Sequence, residues 1–249
     1  MLTAVIIARN EANRIEKCIE SCKFCDSVVV LDNGSTDNTV LKAKKMGAVI
    51  LTNKIRGDFA ALRNFAANQL KSHWILFVDA DEIVSWELAA EIKNAVNKIE
   101  YKGFLLRRVD YMWGRKLRFG DIWGTKLLRL ARRGAGSWEG RVHEKWKIDG
   151  RVGVLWGELE HRPHQTLVEF LEHINTYSTI KADEFYALNR KSNVFEIVFA
   201  PIYKFFYLYL FKLGFIDGTA GFVHAMIMAM YVFLVSGKLY LRHHRIPNE

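Results

Sequence analysis

The sequence contains few cysteines: three among 249 residues, all between Cys18 and Cys25. Cysteines so close together cannot form a disulfide framework that joins distant parts of the chain, so we expect a reducing compartment rather than secretion. The amino terminus also lacks a basic start, and its first apolar run ends before Arg9. Because that run is too short for the core of a signal peptide, we expect most of the protein to stay in the cytoplasm.

No helix-turn-helix, zinc-finger or RNA-binding signature occurs, although the formal net charge is +9. We therefore do not expect nucleic acid as a partner. The charge is concentrated in residues 101–151, where 14 Lys or Arg stand against five acids, an excess as large as that of the whole chain. This basic segment favours an anionic partner, such as a nucleotide diphosphate, a phosphorylated glycolipid or a membrane surface. The alternative is a basic face that contacts only water.

Four short, nearly continuous apolar runs occupy residues 4–8, 27–31, 48–51 and 74–78. Runs without polar alternation are typical of parallel strands that are covered on both faces. Helical patterns separate and follow these runs, at residues 15–22, 40–46, 59–70 and 87–99. This order predicts an α/β fold with a mostly parallel, Rossmann-like sheet flanked by helices.

The cysteines are spaced C-x₃-C-x₂-C, which resembles the cluster-binding loop of radical S-adenosylmethionine enzymes. Such a loop must turn all three sulfurs toward one iron site. Cys18 and Cys22, however, share the apolar face of a predicted amphipathic helix with Ile15 and Ile19. Because cysteine commonly serves as a small buried hydrophobe, we expect these thiols to be packing residues. The iron-sulfur enzyme stays an alternative.

The carboxyl-terminal region, residues 164–249, is predicted to be helical and hydrophobic. Residues 194–216 are densely aromatic but contain three charged residues and Pro201, whereas residues 219–235 carry no charge, near the lower limit for spanning a bilayer. Basic residues flank both ends. The pattern favours peripheral or monotopic association with the cytoplasmic face of a membrane. A buried helical subdomain that packs on the sheet is the alternative.

Polar segments follow three of the predicted strands, at residues 8–11, 32–37 and 79–82. Ligands of open parallel sheets bind at the carboxyl ends of the strands, so these segments should converge on one edge. Within the third segment, Asp79 and Asp81 form a D-x-D pair that can hold Mg²⁺ or Mn²⁺ together with phosphate oxygens. The alternative is a pair of solvated loop acids.

A resemblance to a known family is carried by AVIIARNEANRIEKCIES, VVVLDNGSTDNTVLKAKKMGA, GDFAALRNFAAN and WILFVDADE. Over roughly its first hundred residues the chain resembles family 2 glycosyltransferases of the GT-A fold. A looser likeness, through VHE at 142–144 and DGTAG at 217–221, extends to the β-glucosyltransferases of the lipopolysaccharide inner core. The resemblance implies an inverting, metal-dependent transferase that uses Mg²⁺ or Mn²⁺, with a GT-A domain over residues 1–163.

On the donor side, the resemblance implies a nucleotide pocket. That pocket would be lined by Ala8, Arg9, Asn10 and Glu11. Asp32 would hold the uracil or ribose side of a nucleoside diphosphate sugar.

Nearer the diphosphate, the resemblance assigns two further groups of residues. Arg63 and Asn64 match helix residues beside the diphosphate, and an exposed helix face is the alternative for them. Asp79, Ala80 and Asp81 match the metal motif, with Asp81 as the expected direct ligand.

An inverting transfer requires a carboxylate that takes a proton from the acceptor hydroxyl. Glu144 in RVHEKW is the predicted base, and Glu139 in SWEGR is the second candidate. His143 is a candidate metal or phosphate contact, with a structural role as the alternative. Three tryptophans are candidates either for stacking on a sugar ring or for the core: Trp123, Trp138 and Trp146.

The expected partners are a UDP-hexose donor, with UDP-glucose the first choice, a glycolipid acceptor and anionic membrane lipid. Several basic side chains are candidates for contacts with phosphates or acidic sugars: Arg107, Arg108, Arg115, Lys116, Arg118, Arg129, Arg132 and Arg133. The alternatives are a polyprenyl-phosphate glycosyltransferase, a non-catalytic sugar-nucleotide-binding scaffold and a haloacid-dehalogenase-type phosphohydrolase. The last is suggested by FVDADEI, although that family places its motif on the first strand.

Overall fold

The computed structural model describes residues 1–55, 58–122, 124–140, 144–163 and 166–244. The chain divides into two compact units. The first unit comprises Met1–Val109 and Gly124–Arg162, and the second unit comprises Asp110–Trp123 and Pro163–Glu249.

Eleven strands are found in the described residues. In chain order they are β1 (Leu2–Ala8), β2 (Ser27–Asp32), β3 (Val49–Thr52), β4 (Trp74–Asp79), β5 (Glu82–Val84), β6 (Gly103–Met112), β7 (Arg115–Leu117), β8 (Lys126–Arg132), β9 (Gly136–Glu139), β10 (Lys145–Ile148) and β11 (Val152–His161). The predicted apolar runs match β1 to β4, and the pairs β3–β2, β2–β1 and β1–β4 are parallel. The predicted α/β fold is therefore confirmed.

The main sheet is mixed, because antiparallel strands extend it beyond β4. Its order is β3-β2-β1-β4-β8-β6-β11-β5, with β7 paired to β6. β8 is antiparallel to β4, and β6 is antiparallel to β8 with a register shift between Phe104 and Leu105. β9 and β10 form a separate two-stranded ribbon.

Seven α-helices occur within the part of the chain that the structure describes. They are α1 (Ile15–Ser21), α2 (Thr39–Lys45), α3 (Phe59–Gln69), α4 (Trp86–Ala95), α5 (Leu167–Ala187), α6 (Val194–Phe206) and α7 (Gly218–His243). Polar side chains cap several amino ends: Asp58 accepts the Ala61 N–H at the start of α3, and Ser85 accepts the Leu88 N–H at the start of α4. Such caps help to fix the residue at which each helix begins.

Two apolar clusters form the core of the first unit. One includes Cys18 of α1 and Cys22, which directly follows that helix, together with side chains of α4, so these thiols are packing residues as predicted. The other includes Phe77 of β4 with Trp138 of β9 and Trp146 of β10. The indoles of Trp138 and Trp146 stack with ring centroids 5.1 Å apart, which assigns both tryptophans to the core.

The second unit holds the apolar helices. The stretches Val194–Phe211 and Gly214–His243 are both long and apolar enough to cross a membrane. Core helices of soluble proteins can have the same length and composition. Their burial differs: α6 has no buried side chain, whereas α7 buries nine of its residues. α6 therefore presents an apolar surface to its surroundings.

Candidate active site

The loops after β1 and β2 are joined by hydrogen bonds at the carboxyl edge of the sheet. The Asn10 N–H donates to Ser35 Oγ at 3.0 Å, and the Thr36 N–H donates to Asn10 Oδ1 at 2.8 Å. Asp32 is buried, and its carboxylate accepts the backbone N–H groups of Gly34 and Ser35. Two of the predicted donor-binding segments therefore lie together as expected from parallel strands.

Glu11 belongs to the same loop and has an unusual acidity. Burial raises the pKa of Glu11 to about 7; the charge of Arg14 opposes this shift, whereas Asp81 and Asp37 add to it. Asp81 follows β4, so the third predicted segment lies within electrostatic range of the first. The edge thus gathers several carboxylates, an arrangement that favours binding of a cation.

Arg63 lies on α3 and is only 2% exposed. Its Nη2 donates to Asp79 Oδ1 at 2.7 Å and its Nε donates to Glu144 Oε1 at 2.9 Å. The guanidinium also lies over the Trp138 ring, 4.6 Å from its centroid. Arg63, predicted to lie near the diphosphate, is thus a buried link between the D-x-D segment and the predicted base.

A second arginine holds the other oxygen of Asp79. Arg129 Nη2 lies 2.5 Å from Asp79 Oδ2 and 3.5 Å from Glu82 Oε1, and Glu82 Oε2 accepts the Asp79 N–H at 2.8 Å. Burial would raise the pKa of Asp79, but the charges of Arg129 and Arg63 outweigh it and hold that pKa well below its usual range. For Glu82, burial is the larger effect and raises the pKa.

We refer to these residues as the arginine-held cluster: Arg63, Asp79, Glu82, Arg129 and Glu144. Glu82 and Arg129 carry no signal in the sequence that marks them as partners. Arg129 was expected to contribute to a basic surface, but it is 6% exposed and neutralised by acids. That expectation for Arg129 is therefore wrong.

The two acids of the D-x-D pair have different surroundings. Both oxygens of Asp79 accept hydrogen bonds from arginines, whereas Asp81 Oδ2 lies 3.4 Å from His161 Nε2. No three His, Cys, Asp or Glu side chains within the described ranges are grouped so as to hold a metal ion by themselves. One carboxylate with diphosphate oxygens is nevertheless a donor set that Mg²⁺ accepts, and Asp81 fits it better than Asp79.

The remaining predicted residues lie in varied places. Asn64 exchanges two hydrogen bonds of 2.9 Å with the backbone of Trp138, which fastens α3 to β9. Glu139 is exposed and paired with Lys147 on the ribbon. Ala8 and Ala80 are buried, and Arg9 is exposed. His143 and Trp123 lie outside the described residues.

Comparison with known sequences identifies relatives. The family model described as "Glycosyl transferase family 2" matches residues 3–145. The lipopolysaccharide core biosynthesis glycosyltransferase LpsC of Rhizobium meliloti (strain 1021) is 33% identical over 253 residues, covering 97% of this chain and 93% of the relative. An uncharacterized glycosyltransferase of Rickettsia prowazekii (strain Madrid E), RP128, is 28% identical, covering 96% and 86% of the two chains.

Among solved structures, residues 1–349 of S. aureus TarS superpose with a TM-score of 0.50 at 13% identity, covering 98% of this chain and 91% of that one. A glucosyl-3-phosphoglycerate synthase from Mycobacterium tuberculosis, solved with Mn²⁺, UDP and phosphoglyceric acid, gives a TM-score of 0.47 at 17% identity, covering 68% and 72%. The likeness to TarS concerns the fold alone, and the ligands named for the synthase are those of that protein. By its sequence and its GT-A-like sheet, the chain belongs to glycosyl transferase family 2 and is a glycosyltransferase related to a lipopolysaccharide core enzyme.

Proposed function

We propose that this enzyme is an inverting, metal-dependent transferase that moves a hexose, glucose from UDP-glucose, to a lipopolysaccharide-core or similar glycolipid acceptor. The observation that carries the proposal is the position of Arg63. By bonding Asp79 and Glu144 at 2.7 and 2.9 Å, Arg63 brings the predicted base beside the D-x-D segment. A base and a diphosphate site side by side are what an inverting transfer needs.

On the donor side, the nucleoside would lie against the loops that carry Asn10 and Asp32, and the diphosphate would lie near Asp81. The concentration of carboxylates there would repel a bare diphosphate, so a divalent cation is required to join them. When bound, Mg²⁺ or Mn²⁺ supplies neutralisation of the charge that develops on the departing diphosphate. Asp81 is the carboxylate that we assign to that ion.

On the acceptor side, Glu144 takes the proton of the attacking hydroxyl. As the acceptor oxygen bonds to the anomeric carbon, the bond from that carbon to the diphosphate oxygen breaks, and its electron pair leaves with the nucleoside diphosphate. The Nε–H of Arg63 fixes one oxygen of Glu144 and thereby orients the carboxylate. Glu139 is a poorer base candidate, because it lies exposed on the ribbon beside Lys147.

For the location of the reaction, we propose that α6 docks on the cytoplasmic face of a membrane. Its large apolar side chains include Phe195, Phe199, Ile202, Tyr203 and Phe206, and all of them are exposed. Exposed aromatic side chains on one helix are typical of the membrane interface.

Flotation with neutral and anionic vesicles over a series of salt concentrations would test this docking. Stronger binding to anionic vesicles that weakens as salt is raised would support it, and equal, salt-insensitive binding to both would contradict the proposed contact with anionic lipid.

The donor and acceptor can be tested with purified enzyme. A panel of nucleotide sugars is titrated with Mn²⁺ or Mg²⁺, and the donor that binds is then offered to a lipopolysaccharide-core glycolipid and to a polyprenyl phosphate. Transfer from UDP-glucose to the core glycolipid with inversion supports the proposal. Transfer only to polyprenyl phosphate would replace the acceptor, and failure of every donor to bind would contradict the assignment.

A further inference from the structure

An open part of the main sheet adjoins the candidate site. Arg107 of β6 lies directly opposite Lys126 of β8. The Lys126 ammonium is 4.5 Å from the centroid of the Trp156 ring on β11, and Arg107 Nη2 bonds Glu158 Oε1 at 2.9 Å. We call Arg107, Lys126 and Trp156 the sheet shelf.

The shelf lies toward the carboxyl edge of the sheet, where the candidate site is. β8 runs antiparallel to β4, so Lys126 at its start lies toward the end of β4 that carries Asp79. β11 runs beside β6 in the same direction. Just before the two strands begin, the Lys102 N–H donates to the Arg151 carbonyl, and further along both strands Arg107 is paired with Glu158. With strands about 4.8 Å apart, Trp156 is about 14 Å from β4 across the sheet.

The shelf also shares a face with the predicted base. In β6, Arg107 alternates with Phe104 and Leu106, which belong to the cluster under the opposite face. Leu128, two residues from Lys126 on the same face of β8, packs against the cluster of Trp138 and Trp146. Arg63, which holds Glu144, lies over Trp138 on that side. An acceptor lying on the shelf would therefore approach Glu144 without crossing the sheet.

The chemistry of the shelf selects its occupant. Trp156 remains 61% exposed although Lys126 covers part of its ring, which leaves an indole surface for stacking on a sugar. Two acids lie at the shelf: Glu158 is paired with Arg107, and Glu91 of α4 accepts the Trp156 backbone N–H at 2.7 Å. Within the described residues Lys126 has no carboxylate partner, so its ammonium places a positive charge beside the ring. From this geometry we propose that the shelf binds an anionic sugar of the acceptor, its ring against Trp156 and its phosphate or carboxylate near Lys126. The inference rests on the proposed function and adds a subsite to it.

The indole N–H signals of ¹⁵N-tryptophan-labelled enzyme provide the test, with Trp156 assigned from Trp156→Phe. Glucose 6-phosphate, glucuronate and glucose are titrated separately. We expect at least one of the two anionic sugars to shift the Trp156 signal at lower concentration than glucose, and Lys126→Ala to weaken that binding about fivefold, as for a partly exposed charge. The effective anion shows whether phosphate or carboxylate is the group recognised.

Trp86 is the matched control, because it is 78% exposed on α4 and no part of the shelf. The proposal is overturned if neither anionic sugar shifts the Trp156 signal, if glucose acts at the same concentration, or if the Trp86 signal moves equally. UDP-glucose binding with Mn²⁺ is measured on the same samples and should be unchanged in Trp156→Phe. Donor binding without a response at Trp156 rejects the shelf alone, whereas absence of donor binding in the wild type rejects the proposed function.

Discussion

The carboxyl edge of the first unit has two regions whose charges are balanced in different ways. In the arginine-held cluster, two nearly fully buried cations face the carboxylates of Asp79, Glu82 and Glu144. In the acid loops, defined by Asn10, Glu11, Asp32, Asp37 and Asp81, the backbone supplies most of the hydrogen-bond donors. In the first region each carboxylate lies beside a buried arginine, whereas the acids of the second region outnumber the cations near them.

This difference separates two tasks within the site. Buried ion pairs with short hydrogen bonds hold side chains in one orientation, which suits a catalytic base. Carboxylates that gather at a loop edge and outnumber the nearby cations suit an incoming cation that arrives with phosphate oxygens. We infer that the cluster positions the base, while the acid loops bind the metal and the donor.

The largest effect should follow from removing the base. Glu144→Gln keeps the size of the side chain but cannot accept the proton, so the transfer rate should fall about 10²- to 10⁴-fold. Glu139→Gln is the matched control and should stay near the wild-type rate, since Glu139 is exposed and paired with Lys147. Initial rates of transfer measure both. A Glu144→Gln enzyme with near wild-type activity would remove Glu144 from its assigned role.

Breaking the cluster should next cost stability. Arg63→Met removes the buried arginine that Glu144 contacts and leaves Asp79 with Arg129 alone. Losing one member of such a network typically lowers the free energy of unfolding by about 3–5 kcal/mol. Arg190→Met, which removes a more exposed partner of Glu196, should cost less than about 1 kcal/mol. Urea unfolding compares the two. Equal losses would mean that the cluster does not depend on its buried arginine.

The contrast between these regions could be predicted from the sequence only in part. β1 to β4 were predicted because strands covered on both faces leave continuous apolar runs. β6, β8 and β11 were not, because each mixes polar and apolar residues across a half-open face. The sequence also indicates acids at the strand ends. The sequence does not reveal that Arg63 bonds Glu144, 81 positions away, because that contact depends on how the ribbon packs on α3.

A smaller effect should appear in the pH dependence of stability. The pKa of Glu11 is about 7 in the folded protein and 4.5 in its ordinary state, so folding favours the protonated acid. Its stabilising contribution is complete below the ordinary pKa and is lost as pH rises toward 7. Relative to Glu11→Gln, the wild type should therefore lose free energy of unfolding between about pH 5 and pH 8. Urea unfolding at each pH provides the measurement.

The control for this comparison is Glu20→Gln, which alters an exposed acid of α1 paired with Lys23. Its stability should follow that of the wild type across the same pH range. Parallel curves for the wild type and Glu11→Gln would show that burial and the neighbouring acids do not raise the pKa of Glu11, which would contradict the prediction.

The central claim is that the arginine-held cluster positions the base while the acid loops bind the metal and the donor. It is tested most directly by calorimetric titration of UDP-glucose with Mn²⁺ into three proteins: wild type, Asp81→Asn and Glu144→Gln. We predict that Glu144→Gln binds the donor as the wild type does, because the cluster serves the acceptor, and that Asp81→Asn loses metal-dependent binding. Unchanged binding in Asp81→Asn, or loss of binding in Glu144→Gln, would contradict the account.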